Sequence, residues 1–325
     1  MPAQPLVTLV VPTRNGGVEF QNNLRVMLDQ QLDRSYEVLV VDSGSTDGTI
    51  EFLRRQPVRL VQIPSSDFNH GLTRALAVRE ARGDIVVFTV QDALPVDGHW
   101  MQPLVNALDD PRVAGAYSRQ LPRRDATPFV RERLNRWVVT SETSRRQVID
   151  NPAEFERLSP LQRFQRIVFD NVSSAVRRRV AIDIPFRDRR FGEDLDWSYR
   201  VLLAGQAIAY VPASCVIHSH DRSLGYEFKR AYLTHQHLRN LLQIRLVPTA
   251  AHVGWFGLGR AVRLATTVAT DSTMGWTARL GWMVRATRYS FTEALAQYLG
   301  GRASCDHLKQ SPLSRWIDRR LSRGV

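Results

Sequence analysis

Apolar runs and polar loops alternate through the first two thirds of the chain, and the spacing predicts strands and helices in turn. Residues 6–11 (LVTLVV) are apolar and β-branched and stop at Pro12, which predicts a first buried strand. A loop over residues 13–17 leads into an amphipathic helix over about residues 18–30. Residues 37–41 (EVLVV) predict a second strand, followed by the polar loop DSGSTDGT and a helix opening IEFLRR, with Thr46 or Asp47 available as N-cap. A strand over residues 58–63, a loop around His70 and a helix over about residues 72–81 repeat the pattern. Residues 83–93 (GDIVVFTVQDA) form the centre of the scheme: residues 85–90 contain no breaker and read as a strand buried on both faces, as in a parallel sheet. A helix from Trp100, a strand at residues 113–118 (VAGAYS), a helix opening near Glu193 and a last strand around residues 206–211 complete the reading. Strands alternating with helical patterns imply an α/β fold with a doubly wound, mostly parallel sheet.

Open α/β sheets bind ligands outside the carboxyl ends of their strands. Asp42 and Asp92 both fall at such ends, whereas Asp84 opens the central strand. Each has a plain alternative: Asp42 in a capping loop, Asp92 opening a turn before Pro95. His70 precedes a helix that includes Arg74, and a helix N-terminus favours an anion; a capping loop histidine is the alternative. Glu193 and Asp194 open a helix, where a carboxylate can act as a general base or complement the dipole. Asp196 competes for that role but does not face the same way on a helix. His218 and His220, two apart, share a face if extended and can ligate a metal or bind phosphate or backbone.

The 325 residues carry a net charge of +12, nearly all of the positive charge from arginine, which points to anionic partners and to planar contact with phosphate. Cys215 and Cys305 make no disulfide framework and fit a reducing compartment. No stretch of about 18 uncharged apolar residues predicts a membrane-spanning helix, and the first residues do not read as a signal sequence. No zinc-site spacing or RNA-binding signature supports nucleic-acid binding, and no Gly-x-Gly-x-x-Gly loop suggests a dinucleotide. Residues 119–169 turn arginine-rich with helical spacing, longer than a connector, and read either as a solvated face or as an acceptor-side subdomain. From Leu224 on, apolar and arginine residues interleave, and Trp255, Trp276, Trp282 and Trp316 suit an interfacial helix on anionic lipid, or helices packing on the domain or on another copy.

The segments LVVPTRN at 9–15, VVDSGSTDGT at 40–49 and GD through QDA at 83–93 resemble the nucleotide-binding half of family 2 glycosyltransferases with a GT-A fold. DFNHGLTR at 67–74, taken with QDA, is similar to bacterial rhamnosyltransferases that use dTDP-rhamnose. The resemblance covers residues 6 to about 228. It implies that Asp42 holds the base or ribose, that Pro12, Thr13 and Arg14 line the nucleotide floor, and that Asp84 sits beside the base. It puts Asn69, His70, Arg74 and Gln91 on the donor. It makes Asp92 the last acid of the metal-binding Asp-x-Asp triplet, which here reads Val90-Gln91-Asp92, with His218 or His220 as a further ligand. Asp194 would be the catalytic base, and Glu193 and Trp197 would lie on the acceptor side.

The reading that follows is an inverting glycosyltransferase, dependent on Mg²⁺ or Mn²⁺. It moves rhamnose from a nucleotide diphosphate to a growing surface polysaccharide or a polyprenyl-diphosphate-linked glycan. It is placed in the cytoplasm at the inner face of the cell membrane. Residues 1–222 are expected to be catalytic and residues 223–325 a helical appendage. The competing readings are a transferase using a UDP- or GDP-hexose and a nucleotide-sugar-binding scaffold without turnover.

Overall fold

Side chains of a strand alternate between faces, and residues 7–11 are buried in both directions, so β1 (Val7–Thr13) must lie inside a covered sheet. The computed structural model describes residues 7–189, 191–271 and 274–303 together with Trp316, Arg320 and Leu321. Leu6 and Cys305, which the sequence reading invoked, lie outside the described residues. After β1 come α1 (Gly17–Leu28), β2 (Tyr36–Asp42), α2 (Thr49–Leu53), β3 (Arg59–Gln62), α3 (His70–Glu80) and β4 (Ile85–Thr89). Then follow β5 (Leu94–Pro95), α4 (Met101–Ala107), β6 (Val113–Leu121), α5 (Pro128–Asn135), β7 (Arg145–Gln147), α6 (Pro152–Arg157) and α7 (Pro160–Ile167). The chain continues with β8 (Ser173–Arg177), α8 (Arg178–Asp183), α9 (Glu193–Leu203), β9 (Ala207–Ile217), α10 (Leu224–Leu242), α11 (Ala250–Ala269) and α12 (Trp276–Arg302).

The chain forms two compact units. The first comprises Met1–Arg123, Trp137–Phe155 and Arg166–Ser219. It holds one mixed sheet in the order β3-β2-β1-β4-β8-β6-β9-β5, with β7 also on β9. Strands β3, β2, β1 and β4 are mutually parallel, as the alternation with helices predicts. β8 is antiparallel to both β4 and β6, so the central strand has one parallel and one antiparallel neighbour rather than two parallel ones. β1 runs through Pro12 to Thr13, past the predicted stop. Its ladder to β4 ends at Val10, so Pro12 lies where β1 is paired on one side only, and the missing N–H is tolerated.

These pairings decide which residues share an edge. β4, β6 and β9 run in one direction with β1 and β2, so residues 13–14, 42, 91–92, 121–123 and 218 all leave the sheet at its carboxyl edge. β8 runs the other way, and Thr89 pairs with Ser173, so Asp170 enters at that same edge. Asp84 stands at the other end of β4, a five-residue strand, about 17 Å away along the chain. On one face, Val7, Leu9, Val11, Val38, Val40 and Val87 pack under Phe20 and Leu24 of α1 and Met101 and Leu104 of α4. On the other, Phe88 meets Phe186 edge-on at 5.6 Å, and Phe186 stacks on Trp197 of α9 at 5.1 Å.

Residues 119–169 are mixed rather than helical throughout, because Arg145–Gln147 adds a strand to the sheet. The second unit comprises Arg124–Arg136, Glu156–Gln165 and His220–Val325. Within it, Phe129 of α5, Leu264 of α11, and Ala286 and Tyr289 of α12 form a buried cluster. Arg133 pairs with Glu227 at 2.6 Å and Arg260 with Glu293 at 2.9 Å. Trp282 packs edge-on against Phe129 at 5.2 Å, so it belongs to this core and not to an interfacial stripe.

Gly71, in the first turn of α3, marks a close approach in the first unit. A methyl group there would sit 1.8 Å from the carbonyl oxygen of Arg187 and 3.4 Å from Cβ of Glu193. Gly71→Ala is expected to lower stability by about 1–3 kcal/mol in denaturant melts, the usual cost of overpacking against backbone. Gly254→Ala, on a helix with open space around it, serves as the control and should not destabilise. Equal effects at both positions would contradict the close approach.

Candidate functional site

The carboxyl edge of the sheet is built by short polar links between strand ends. Gln91 accepts from the Thr13 hydroxyl at 2.7 Å and the Arg14 N–H at 2.9 Å. Its own amide donates to the Arg14 carbonyl at 3.3 Å, so β4's exit clasps β1's exit. Pro12 is half-buried and Thr13 buried beneath this floor, while Arg14 is exposed above it. Asp42 is fully buried, and its carboxylate accepts from the N–H groups of Gly44 and Ser45 at 2.9 and 3.0 Å and from the Ser45 hydroxyl. It therefore shapes the loop that follows β2. Asp84 is exposed at the opposite edge, so it does not join these residues.

Asp92 and His218 come together where β4 and β9 end. Their Oδ1 and Nε2 atoms are 3.7 Å apart. With His220, next but one along the chain, each offers one ligand atom, and these atoms lie within 4.8 Å of one another. Arg123 ties this edge together, a role that nothing in the sequence pattern singled out. Its side chain donates to the Asp92 carbonyl at 2.9 Å and pairs with Glu19. Its backbone N–H donates to the Ser219 hydroxyl at 3.0 Å, while the His218 N–H bonds the Leu121 carbonyl at 2.9 Å. Two imidazoles and a carboxylate fit a borderline cation such as Mn²⁺ better than Mg²⁺, which prefers oxygen alone.

The third part of the site is a knot of charge where α3 meets α9. Asn69 caps α3, accepting from the N–H groups of Gly71 and Leu72 at 3.0 Å each, and its amide donates to Asp188 at 2.8 Å. Arg74, one turn in, is buried and pairs with Glu193 at 3.0 Å; it also donates to the His70 carbonyl at 3.0 Å. Arg74 and Glu193 thus face each other as a buried pair rather than opening onto donor and acceptor. Burial works to raise the Glu193 pKa, but Arg74, His70 and the amide of Asn171 outweigh it and hold Glu193 below its usual value, ionised. Burial pushes His70 down, and Arg74 adds to this against the pull of Glu193, so the imidazole stays neutral at pH 7.

Asp194 keeps partial exposure, and its Oδ1 accepts the Leu195 N–H at 2.8 Å. Burial, then the charges of Glu193 and Asp170, raise its pKa well above the usual carboxylate range. Asp170 is raised in the same way by burial and by Glu193, although the Val172 N–H at 2.9 Å works against it. Asp170 enters the site only because β8 is antiparallel, and the sequence pattern carried no signal for it. Asp196 is committed elsewhere: it binds Arg189 at 3.0 Å and Arg200 at 2.9 Å, and its pKa is lowered despite burial. Trp197 is fully buried and donates to the Ile184 carbonyl at 2.8 Å, so it is core and does not line an acceptor cleft.

This arrangement offers a carboxyl of raised pKa at the head of α9, and a cluster suited to a divalent cation beside a polar floor at the carboxyl edge of the sheet. The chain is similar to known proteins. The O-antigen chain rhamnosyltransferase RfbN of Salmonella typhimurium is 31% identical over 232 residues, 70% of this chain and 71% of that protein. The O-antigen chain rhamnosyltransferase WbaN of Salmonella anatum is 30% identical over 233 residues, 71% of each chain. Among solved structures, a mannosyltransferase from Pyrobaculum calidifontis, in complex with GDP-Man and Mn²⁺, aligns with a TM-score of 0.56 at 20% identity, covering 91% of this chain and 88% of that one. That likeness shows the fold, a GT-A fold. The sequence model of Glycosyl transferase family 2 matches residues 8–183, more than half of the chain, and the protein belongs to that family: it is a glycosyltransferase.

Proposed function

We propose that the chain is an inverting transferase that moves L-rhamnose from dTDP-rhamnose onto a growing O-antigen-type glycan carried on a polyprenyl diphosphate. The work takes place at the inner face of the cell membrane, with residues 1–222 catalytic and residues 223–325 appended. The observation that carries the chemistry is Asp194, a partly buried residue whose pKa burial, joined by the charges of Glu193 and Asp170, raises well above the ordinary range. The 31% and 30% identity to two O-antigen chain rhamnosyltransferases supports the choice of sugar and acceptor.

A sugar hydroxyl is a poor nucleophile until a base takes its proton, and a carboxylate of raised pKa is the better acceptor for it. The Asp194 carboxylate takes the acceptor's hydroxyl proton as the oxygen attacks the anomeric carbon. The bond to the diphosphate breaks on the opposite face, and the nucleoside diphosphate leaves with the electron pair. Asp92, His218 and His220 would hold Mn²⁺, which when bound neutralises the charge of the departing diphosphate. Thr13, Arg14 and Gln91 form the nucleotide floor, and the neutral His70 and Asn69 border the donor sugar. Arg74 acts through Glu193, as a positioning residue that fixes the head of α9.

Asp194→Asn is expected to cut transfer by about 10²–10⁴-fold while leaving donor binding intact by calorimetry. The same substitution should raise stability at neutral pH. A carboxyl whose folded pKa exceeds its unfolded one loses stability as pH rises from about 4 through the folded value, and the amide escapes that loss. Full transfer by Asp194→Asn would remove the base assignment. For the cation, His218→Ala should abolish Mn²⁺ binding measured by electron paramagnetic resonance. Arg123→Gln should weaken it about 10–100-fold, since Arg123 holds the Asp92 turn without touching the ion. Unchanged Mn²⁺ affinity in both variants would contradict the site. A panel of nucleotide sugars tests the donor, with dTDP-rhamnose turned over fastest and a UDP- or GDP-hexose preference as the contrary result.

A further inference from the structure

Helices α11 and α12 bury one side each and leave the other apolar. Gly257, Ala261, Leu264 and Val268 of α11 face inward, as do Ala286, Tyr289 and Ala294 of α12. The opposite side of α11 carries Trp255, Leu258 and Val262, at i, i+3 and i+7. The opposite side of α12 carries Trp276, Leu280 and Val284 at i, i+4 and i+8, and Leu295 continues it after Arg288, whereas the ring of Phe291 packs on Gly257 of α11. Trp255 is 77% exposed and Trp276 76%, near the fully exposed limit for so large a side chain. Aromatic and aliphatic groups in rows this long are uncommon on a free surface and mark a docking face.

The charges beside the rows choose the occupant. Residues 249–303 hold six arginines against Asp271 and Glu293, and Glu293 is already paired with Arg260 inside the unit. Arg285, Arg288 and Arg302 are exposed. A second copy docking through this face would set these like charges against each other, which an interface penalises. An anionic lipid surface would attract the arginines and take up the apolar rows together. No helix among the described residues is long and apolar enough to cross a membrane, so the fitting geometry is a helix lying in the plane of the interface.

We infer that the outer rows of α11 and α12, anchored by Trp255 and Trp276, form a face that docks on the headgroup region of an anionic bilayer. This deepens the proposal of a lipid-carried acceptor, because a transferase seated on the membrane meets such an acceptor without leaving the surface. The face differs from the four-tryptophan stripe expected from sequence: Trp282 is held in the core by Phe129.

The test is sedimentation of the full chain with vesicles containing phosphatidylglycerol and with vesicles of phosphatidylcholine alone, with solution mass followed by light scattering. Binding is expected to the anionic vesicles, weakening as salt rises, and little to the neutral ones. Trp255→Ser combined with Trp276→Ser should cut anionic-vesicle binding at least tenfold, and Arg285→Glu combined with Arg288→Glu should do the same. The mass of the protein should not change in either variant. Transfer to a soluble acceptor should be retained, which separates loss of docking from failure of the catalytic reading. Absence of binding to anionic vesicles, undiminished binding by both variants, or a dimer that the tryptophan variant converts to a monomer would each overturn the inference.

Discussion

A single buried ion pair, Arg74 with Glu193, fixes the geometry on which the site depends. Its two members sit on α3 and α9, 119 positions apart in the chain, and both are almost fully buried. A charge so placed is costly unless its partner is present, so the pair tolerates little displacement. Gly71, one turn before Arg74, lets α3 close onto the backbone of Arg187, in the segment that leads into α9. Asn69 closes the same junction through Asp188. The head of α9 is thereby held, and with it the orientation of Asp194. Glu193 is kept ionised by Arg74 and in turn discourages ionisation of Asp194. Two adjacent carboxyls thus acquire opposite characters, one a fixed anion and one a proton acceptor.

The rest of the site follows from strand direction. Parallel strands deliver their carboxyl ends to one edge, which brings Gln91 and Asp92 beside Thr13 and Arg14 and sets His218 near Asp92. The one reversed strand in the middle, β8, adds Asp170 to that edge from a distant part of the chain. Arg123, at the exit of β6, then links the exits of β4 and β9 and the first turn of α1 through the Asp92 carbonyl, the Ser219 hydroxyl and Glu19. A cation cluster assembled from loops needs such support, since each ligand would otherwise be free to swing.

The strands were legible because β-branched runs bounded by Gly, Pro and Asp carry their own signal. Residues 85–89 and 37–41 fall where the pattern puts them, and the family and its fold were readable from the motifs along those strands. What the pattern could not supply was direction: β8 looks like any short buried strand, so its antiparallel pairing and the arrival of Asp170 were invisible. Partner choice was equally hidden. Arg74 and Glu193 each looked ready for a ligand because their attraction to each other exists only after α3 and α9 meet. Trp197, beside two acids, looked surface-bound, yet helical rotation turns it onto Phe186. Arg123 was one of many arginines, and only the ends of β6 and β9 lying side by side give it a function.

The account's central claim is that burial and the charges of Glu193 and Asp170 make Asp194 a base. The most direct measurement is the pH dependence of kcat/KM for the native protein and for Asp170→Asn. The account predicts an acid limb above the ordinary carboxylate value of about 4, displaced to lower pH when the charge of Asp170 is removed. An acid limb at the ordinary value, or one that Asp170→Asn leaves in place, would contradict it.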